Sequence, residues 1–112
     1  MKTITSRDNP ALKNARKLLT KKGRGELAAF LVEGEKLINE AINAGFTVER
    51  VYINSGALSR GEAVSQGYPG ETALEEKLFL ELARTETPGP YIAVVAGKTA
   101  AKAIDEYLRR DV

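Results

Sequence analysis

The sequence predicts a three-layer α/β/α sandwich, in which a mainly parallel or mixed sheet lies between two layers of helices. Apolar runs of strand length alternate with amphipathic helical segments, the connections between them are short, and 112 residues suffice for one core. Crossovers between such elements are right-handed, which places helices on both faces of the sheet. We therefore expect residues 1–112 to form a single domain.

The first helix is predicted over about residues 9–22. Asn9 can accept hydrogen bonds from the first helical amides, and Pro10 loses nothing at a position whose N–H has no partner within the helix. At 100° per residue, apolar and basic side chains separate onto opposite sides. The apolar side holds Ala11, Leu12, Ala15, Leu18 and Leu19, and the basic side holds Lys13, Arg16, Lys17 and Lys21. Gly23 and Gly25 are expected to end the helix.

Two strands and a helix follow. Residues 28–32 are a continuous apolar run, typical of a strand covered on both faces, and the run is broken by Glu33 and Gly34. A helical apolar stripe continues to Gly45, a residue suited to the end of a helix. Residues 47–53 are rich in β-branched and aromatic side chains and predict the second strand.

The remaining elements vary in the strength of their signal. Residues 54–68 predict a turn and a short, glycine-interrupted helix, and residues 70–74 fit a short strand. A clear helix is predicted over 74–83. Residues 85–90 must be a loop because they hold two prolines and a glycine, and residues 91–96 predict a buried strand. The last element is an amphipathic closing helix over about residues 98–110.

Composition excludes most catalytic chemistry. The chain has no Cys and no His, so thiol nucleophiles, imidazole bases and disulfides are impossible. The other reactive side chains show no catalytic spacing, and the sequence has no glycine-rich phosphate loop. We therefore predict no catalytic residue, no metal ligand and no cofactor within this chain. Because no apolar run approaches the ~20 residues needed to span a bilayer, we expect a cytoplasmic protein with no membrane partner.

Positive charge is concentrated at the N-terminal end. Residues 1–26 carry eight basic and two acidic residues, a net charge of +6, whereas the whole chain has a net charge of +2. Clustered Lys and Arg side chains attract polyanions and release the cations condensed on them. The asymmetry therefore indicates a nucleic-acid partner.

Four segments resemble a known family. They are ITSRDNPALKNARKL, FLVEGEKLINEA, VYI and TETPGPYIAVV, which lie in this order within residues 3–97, and the first two are the specific ones. In sequence and spacing they resemble the N-terminal substrate-binding domain of the SpoU/TrmH family of RNA ribose 2′-O-methyltransferases. The resemblance implies a fold similar to ribosomal proteins that bind kink-turn RNA. It also implies that the domain presents structured RNA, often ribosomal RNA, to a following knotted domain that transfers a methyl group from S-adenosylmethionine.

The sequence departs from that family in two places. The family would continue beyond Val112 for about 150 residues, a typical domain length, so the S-adenosylmethionine site belongs to that following domain. We expect no methylation by this chain alone, and any dimerisation would run through the catalytic domain. After TETP, the family usually has a Gln-Gly pair, where this chain has Gly89 and Pro90.

The predicted RNA contacts form two groups. The first is a basic strip of Arg7, Lys13, Arg16, Lys17, Lys21, Lys22 and Arg24, together with Asn9. Within it, Arg7 has no evident structural role, and its planar guanidinium suits phosphate and base contacts. The alternative for the strip is a solvated helix face.

The second group is Glu33, Lys36, Thr85 and Thr87. Glu33 and Lys36 belong to a turn whose counterpart in kink-turn-binding proteins approaches RNA. The loop with Thr85 and Thr87 should lie near the same edge, and structural and RNA roles both stay open. For Glu33, the alternative is a favourable interaction with the positive end of the following helix.

The main prediction is therefore an RNA-binding substrate-recognition domain of an S-adenosylmethionine-dependent methyltransferase, with ribosomal RNA as the expected partner. The alternative is a protein-interaction or dimerisation module that packs on a methyltransferase core. This second function would use the apolar stripe of the closing helix, residues 100–108. An autonomous enzyme is disfavoured by the composition.

Overall fold

The computed structural model describes residues 1–97 as a five-stranded sheet with helices on both faces. In chain order the elements are β1 (Thr3–Ile4), α1 (Pro10–Lys17), α2 (Lys21–Leu27), β2 (Ala29–Glu33), α3 (Glu35–Asn43), β3 (Thr47–Asn54), α4 (Ser55–Ser59), β4 (Glu71–Leu74), α5 (Glu76–Leu82) and β5 (Tyr91–Ala96). The closing helix predicted over about residues 98–110, and with it the apolar stripe of the alternative function, lies outside the described residues.

The sheet is mixed, and its strands follow the order β1-β4-β3-β5-β2. The neighbours β1 and β4, and β4 and β3, run parallel, whereas β5 is antiparallel to both β3 and β2. The pairs Glu33–Ile92 and Asn54–Leu74 therefore bring the carboxyl ends of β2, β3 and β4 to one edge, beside the start of β5. We call this the carboxyl edge.

Each face of the sheet has its own core. Successive side chains of β3 point to opposite faces: Val51 and Ile53 belong to the core beneath α3 and α4, and Tyr52 to the core beneath α1 and α5. Because β5 is covered on both faces, its apolar run is nearly continuous. The predicted three-layer sandwich is confirmed.

The predicted extent of the first helix is wrong. Helix α1 ends at Lys17, and the Thr20 hydroxyl accepts a hydrogen bond from the Gly23 N–H at 3.0 Å, so Thr20 starts a second helix. Gly23 and Gly25 lie within α2 instead of ending α1. Gly23 permits a close approach, since a Cβ there would lie 1.9 Å from the Lys17 carbonyl oxygen.

Helix α4 is shorter than the sequence predicts, and strand β1 was not predicted. Helix α4 stops at Ser59, and residues 62–68 contain no helix. Strand β1 has two residues, too few to show a period, and it forms through pairing with β4. The described helices include none that is both long enough and apolar enough to cross a membrane.

Candidate nucleic-acid interface

Helix α1 presents the lysines of the basic strip to solvent. The Asn9 side-chain oxygen accepts from the Ala11 and Leu12 amides at 3.0 and 3.2 Å, which confirms Asn9 as the helix cap. Leu12 and Ala15 are buried, whereas Lys13 and Lys17 are exposed. The predicted separation of apolar and basic side chains is therefore confirmed for these two lysines.

Two more exposed lysines lie at the start of α2. Lys21 and Lys22 lie in its first turn, and Lys22 makes a long ion pair with Glu26 at 3.9 Å. Within residues 1–97, Lys13, Lys17 and Lys21 have no ion-pair partner. Their positive charges are therefore available to an external anion. We call Lys13, Lys17, Lys21 and Lys22 the lysine strip.

The arginines of the predicted strip are held by the protein itself. Arg7 Nη1 donates to both carboxylate oxygens of Glu81 on α5, at 2.6 and 2.8 Å. Arg16 Nη2 donates to the Arg7 carbonyl oxygen at 2.6 Å, and Arg16 is half-buried, whereas Lys13 and Lys17 are exposed. The expectation that Arg7 lacks a structural role is wrong, because its guanidinium ties the segment before α1 to α5.

Arg24 is also engaged. Its Nη1 donates to the Leu18 carbonyl oxygen at 3.1 Å, just beyond the end of α1. Arg84, which the sequence analysis did not single out, donates from Nη2 to the adjacent Leu19 carbonyl oxygen, also at 3.1 Å. Two guanidinium groups thus lie at the negative end of the α1 dipole, where cations are favourable.

The second predicted group meets at the carboxyl edge. Glu33 accepts from the Arg84 N–H at 2.7 Å and from the Thr85 hydroxyl at 3.1 Å. Gly89 approaches from the same loop: a Cβ built on it would lie 4.0 Å from the Gly34 Cα. The structure therefore brings the 85–90 loop to the turn after β2, as expected, and it uses the Glu33 carboxylate to hold that loop.

Arg84 joins the two groups, since it contacts both Leu19 and Glu33. Between them lies a cavity of about 200 Å³ lined by Leu18, Leu19, Arg24, Leu31, Glu33 and Arg84. Lys36 and Thr87 are exposed, Lys36 in the first turn of α3 and Thr87 in the 85–90 loop. In the sequence, Arg84 is simply a basic residue at the start of a loop, and this pattern does not predict its contacts with Leu19 and Glu33.

The charged groups of a further polar cluster at this edge pair with one another. The buried Asn54 side chain caps α4 by accepting from the Gly56 N–H and donates to Glu76 at 3.1 Å. Arg60 pairs with Glu76 at 2.8 Å and with Glu62 at 3.1 Å. The hydrogen bond from Arg60, followed by that from Asn54, lowers the pKa of the Glu76 carboxyl. Arg60, Glu62 and Glu76 are therefore already paired within the protein.

The described residues offer charged and hydrogen-bonding surfaces suited to binding. They contain no group of three or more acidic side chains placed to hold a metal ion. The strongest uncommitted feature is the row of exposed ammonium groups on α1 and α2, which suits phosphates.

Comparison with known proteins gives a consistent result. Residues 9–93 match the family model described as the MRM3-like substrate binding domain. The chain is 35% identical over 96 residues to the 23S rRNA (guanosine(2553)-2′-O)-methyltransferase RlmP of Bacillus subtilis (strain 168), covering 84% of this chain and 37% of that protein.

Solved structures show the same relationship. An RNA 2′-O ribose methyltransferase superposes with a TM-score of 0.70 at 25% identity, covering 84% of this chain and 37% of that one. An AdoMet-bound rRNA methyltransferase from Sinorhizobium meliloti gives a TM-score of 0.64 at 25% identity, over 88% of this chain and 38% of that one. The chain thus spans a little over a third of the length of these relatives.

Proposed function

Because the chain belongs to the MRM3-like substrate binding domain family, we propose that it binds structured ribosomal RNA and holds it for 2′-O-methylation. The family match confirms the resemblance drawn from the four sequence segments. The relative from Bacillus subtilis is a 23S rRNA methyltransferase, which supports ribosomal RNA as the substrate class here.

The lysine strip is the observation that carries the proposal. Its four side chains are exposed, and Lys13 and Lys17 lie one helical turn apart on the same face of α1. Phosphate contacts from such residues fix the position of a nucleic acid and carry little sequence information. The strip would therefore supply affinity and orientation.

Methyl transfer is proposed to need a further domain. The resemblance assigns S-adenosylmethionine to a domain that follows this one, and the AdoMet-bound structure is of a protein more than twice as long. We therefore derive no catalytic step from these residues. A covalently attached methyltransferase domain is the partner that the relatives support.

A salt titration of RNA binding tests the proposal. The Lys13→Glu/Lys17→Glu variant is compared with the original chain by fluorescence anisotropy, on a hairpin of ribosomal sequence at several salt concentrations. Each phosphate contact contributes about 0.7–0.9 to the magnitude of the slope of log affinity against log salt, so losing two contacts lowers that magnitude by about 1.4–1.8. Binding should weaken similarly across RNA sequences.

One control variant defines the outcome. Lys77→Glu reverses one charge, half the change of the double variant, at an exposed position on α5 outside the strip, and it should leave the slope nearly unchanged. Binding that is absent, insensitive to salt, or equally affected by Lys77→Glu would contradict the proposed function.

A further inference from the structure

A groove crosses the α1 face of the sheet, at the end opposite the carboxyl edge. Its volume is about 350 Å³, and α1 and β3 supply most of its lining residues. The apolar lining is Ala11, Ala15, Leu18, Leu27, Ala29 and Val94. This volume lies at the low end for small-molecule sites and suits one planar group better than a helix.

Tyr52 lies directly beneath this groove, and its hydroxyl is both closed to solvent and unpaired. Its side chain is 0% exposed, and its hydroxyl has no hydrogen-bond partner within residues 1–97. The other two described tyrosines are paired: the Tyr91 hydroxyl donates to the Val64 carbonyl oxygen at 2.7 Å, and the Tyr68 hydroxyl contacts Asn39 at 3.2 Å. Because unpaired buried hydroxyls are costly and uncommon, this one requires an explanation. Burial raises the pKa of Tyr52, so the hydroxyl keeps its proton and can donate.

A fixed cation lies beside the same groove. The Arg50 guanidinium carbon is 6.0 Å from the centroid of the Tyr52 ring, and its Nη1 donates to the Thr72 hydroxyl at 2.8 Å. Asn14 and Glu49 complete the polar lining. Asn14 lies on α1 between Lys13 and Lys17, so the groove opens beside the lysine strip.

We propose that this groove takes one unstacked nucleotide of the bound RNA. The base lies on the apolar lining, and its entry parts the side chains that cover the Tyr52 hydroxyl, which then donates to an acceptor on the base edge. Arg50 contacts the base plane or its phosphate. RNA-binding proteins recognise splayed-out bases by this combination of apolar or guanidinium stacking and hydrogen bonds. The inference rests on the proposed function and adds a nucleotide site distinct from the lysine strip.

The test uses the 112-residue chain and two RNA hairpins with the same stem, one with a single-nucleotide bulge and one fully paired. Tyr52→Phe removes only the hydroxyl and should weaken binding of the bulged hairpin about fivefold, the loss typical of one hydrogen bond. Binding of the paired hairpin should not change. Tyr68→Phe removes a hydroxyl on the opposite face and is the matched control.

A second variant and a direct probe guard against a folding defect. Asn14 is exposed, so Asn14→Ala should keep the fold and weaken binding of the bulged hairpin by twofold or more. Titration with the four nucleoside monophosphates should shift the amide NMR signals of Ala15 and Val94, and Tyr52→Phe should reduce those shifts.

The outcomes separate this inference from the proposed function. Equal affinity of the two hairpins, or equal loss on both with Tyr52→Phe, overturns the nucleotide site while the lysine strip stands. Groove shifts that grow with protein concentration alone overturn it in favour of a surface between copies of the chain. Absence of binding to either hairpin overturns both proposals.

Discussion

Replacing Glu81 with Gln tests whether Arg7 is held back from RNA by its own protein. The substitution keeps the shape of the side chain but removes the charge that Arg7 Nη1 contacts at 2.6 and 2.8 Å. The Arg7 side chain is 61% exposed and that of Glu81 30%, so the pair is a partly solvated one worth about 0.2–1 kcal/mol. Glu81→Gln should lower the free energy of unfolding by no more than that amount. If the Arg7 guanidinium leaves Glu81 to contact an RNA phosphate, the wild-type chain must first break this ion pair. Glu81→Gln removes that cost, so RNA affinity should rise by up to about fivefold.

A double-mutant cycle measured by fluorescence anisotropy decides the result. Glu81→Gln is made in the original chain and in an Arg7→Ala background, and the gain in affinity should vanish when Arg7 is absent. Glu40→Gln, an exposed change of the same charge on α3, gives the non-specific effect. If Glu81→Gln weakens binding, or if its effect is the same in both backgrounds, Arg7 acts as a structural tether and not as an RNA contact.

Two further predictions concern stability. Gly23→Ala should lower the free energy of unfolding, measured in urea, by more than about 2 kcal/mol, because its Cβ would lie 1.9 Å from the Lys17 carbonyl oxygen. Gly25 lies in the same helix with open space around it, so Gly25→Ala should leave the stability unchanged or raise it. Equal effects of the two substitutions would contradict the close packing of α1 and α2. Burial raises the pKa of Glu71, but hydrogen bonds from Ser65 and nearby backbone amides outweigh it and leave the pKa below its usual value. A carboxyl with a lowered folded pKa stabilises the protein above its unfolded pKa and loses that contribution as pH falls through the folded value. Glu71→Gln should therefore lower Tm at pH 7 and flatten the fall in Tm below about pH 4.5, and an unchanged Tm-against-pH curve would refute this role.

The elements with a clear period could be predicted from sequence, and the long-range polar contacts could not. The stripe of α3 and the Gly45 that follows it gave a helix with its correct end, and Gly45 has the positive φ of 88° that favours glycine there. The break after Lys17 was missed because the apolar period continues through Leu18, while the deciding feature is the Thr20 cap. Gly23 and Gly25 suggested a helix end, whereas Thr20 suggested a helix start. In the structure Thr20 caps α2, and Gly23 allows α2 to pack closely against the end of α1.

The exposure of the lysines could be predicted from the sequence, and the contacts of the arginines could not. The exposed positions of Lys13 and Lys17 follow from helical spacing alone. Arg7 finds its partner 74 residues away and Arg84 reaches a carbonyl 65 residues away, so no local pattern could indicate either contact. A planar guanidinium with five donors readily caps carbonyls and carboxylates, whereas an ammonium group on a flexible stem more often stays solvated.

The position of β5 has a consequence for how the chain can fold during synthesis. Among the strands of residues 1–97, β2 pairs only with β5 and β1 only with β4. Both edge strands therefore come from the first third of the chain, and their partners come from the last third of the described residues. Ala29 meets Ala96 across 67 positions, a non-local pairing of the kind that forms slowly. While the ribosome is still making residues 34–90, β1 can already join β4, but β2 has no partner strand. A chain shortened before residue 91 would leave β2 unpaired, so the whole of β5 must emerge before the sheet can close.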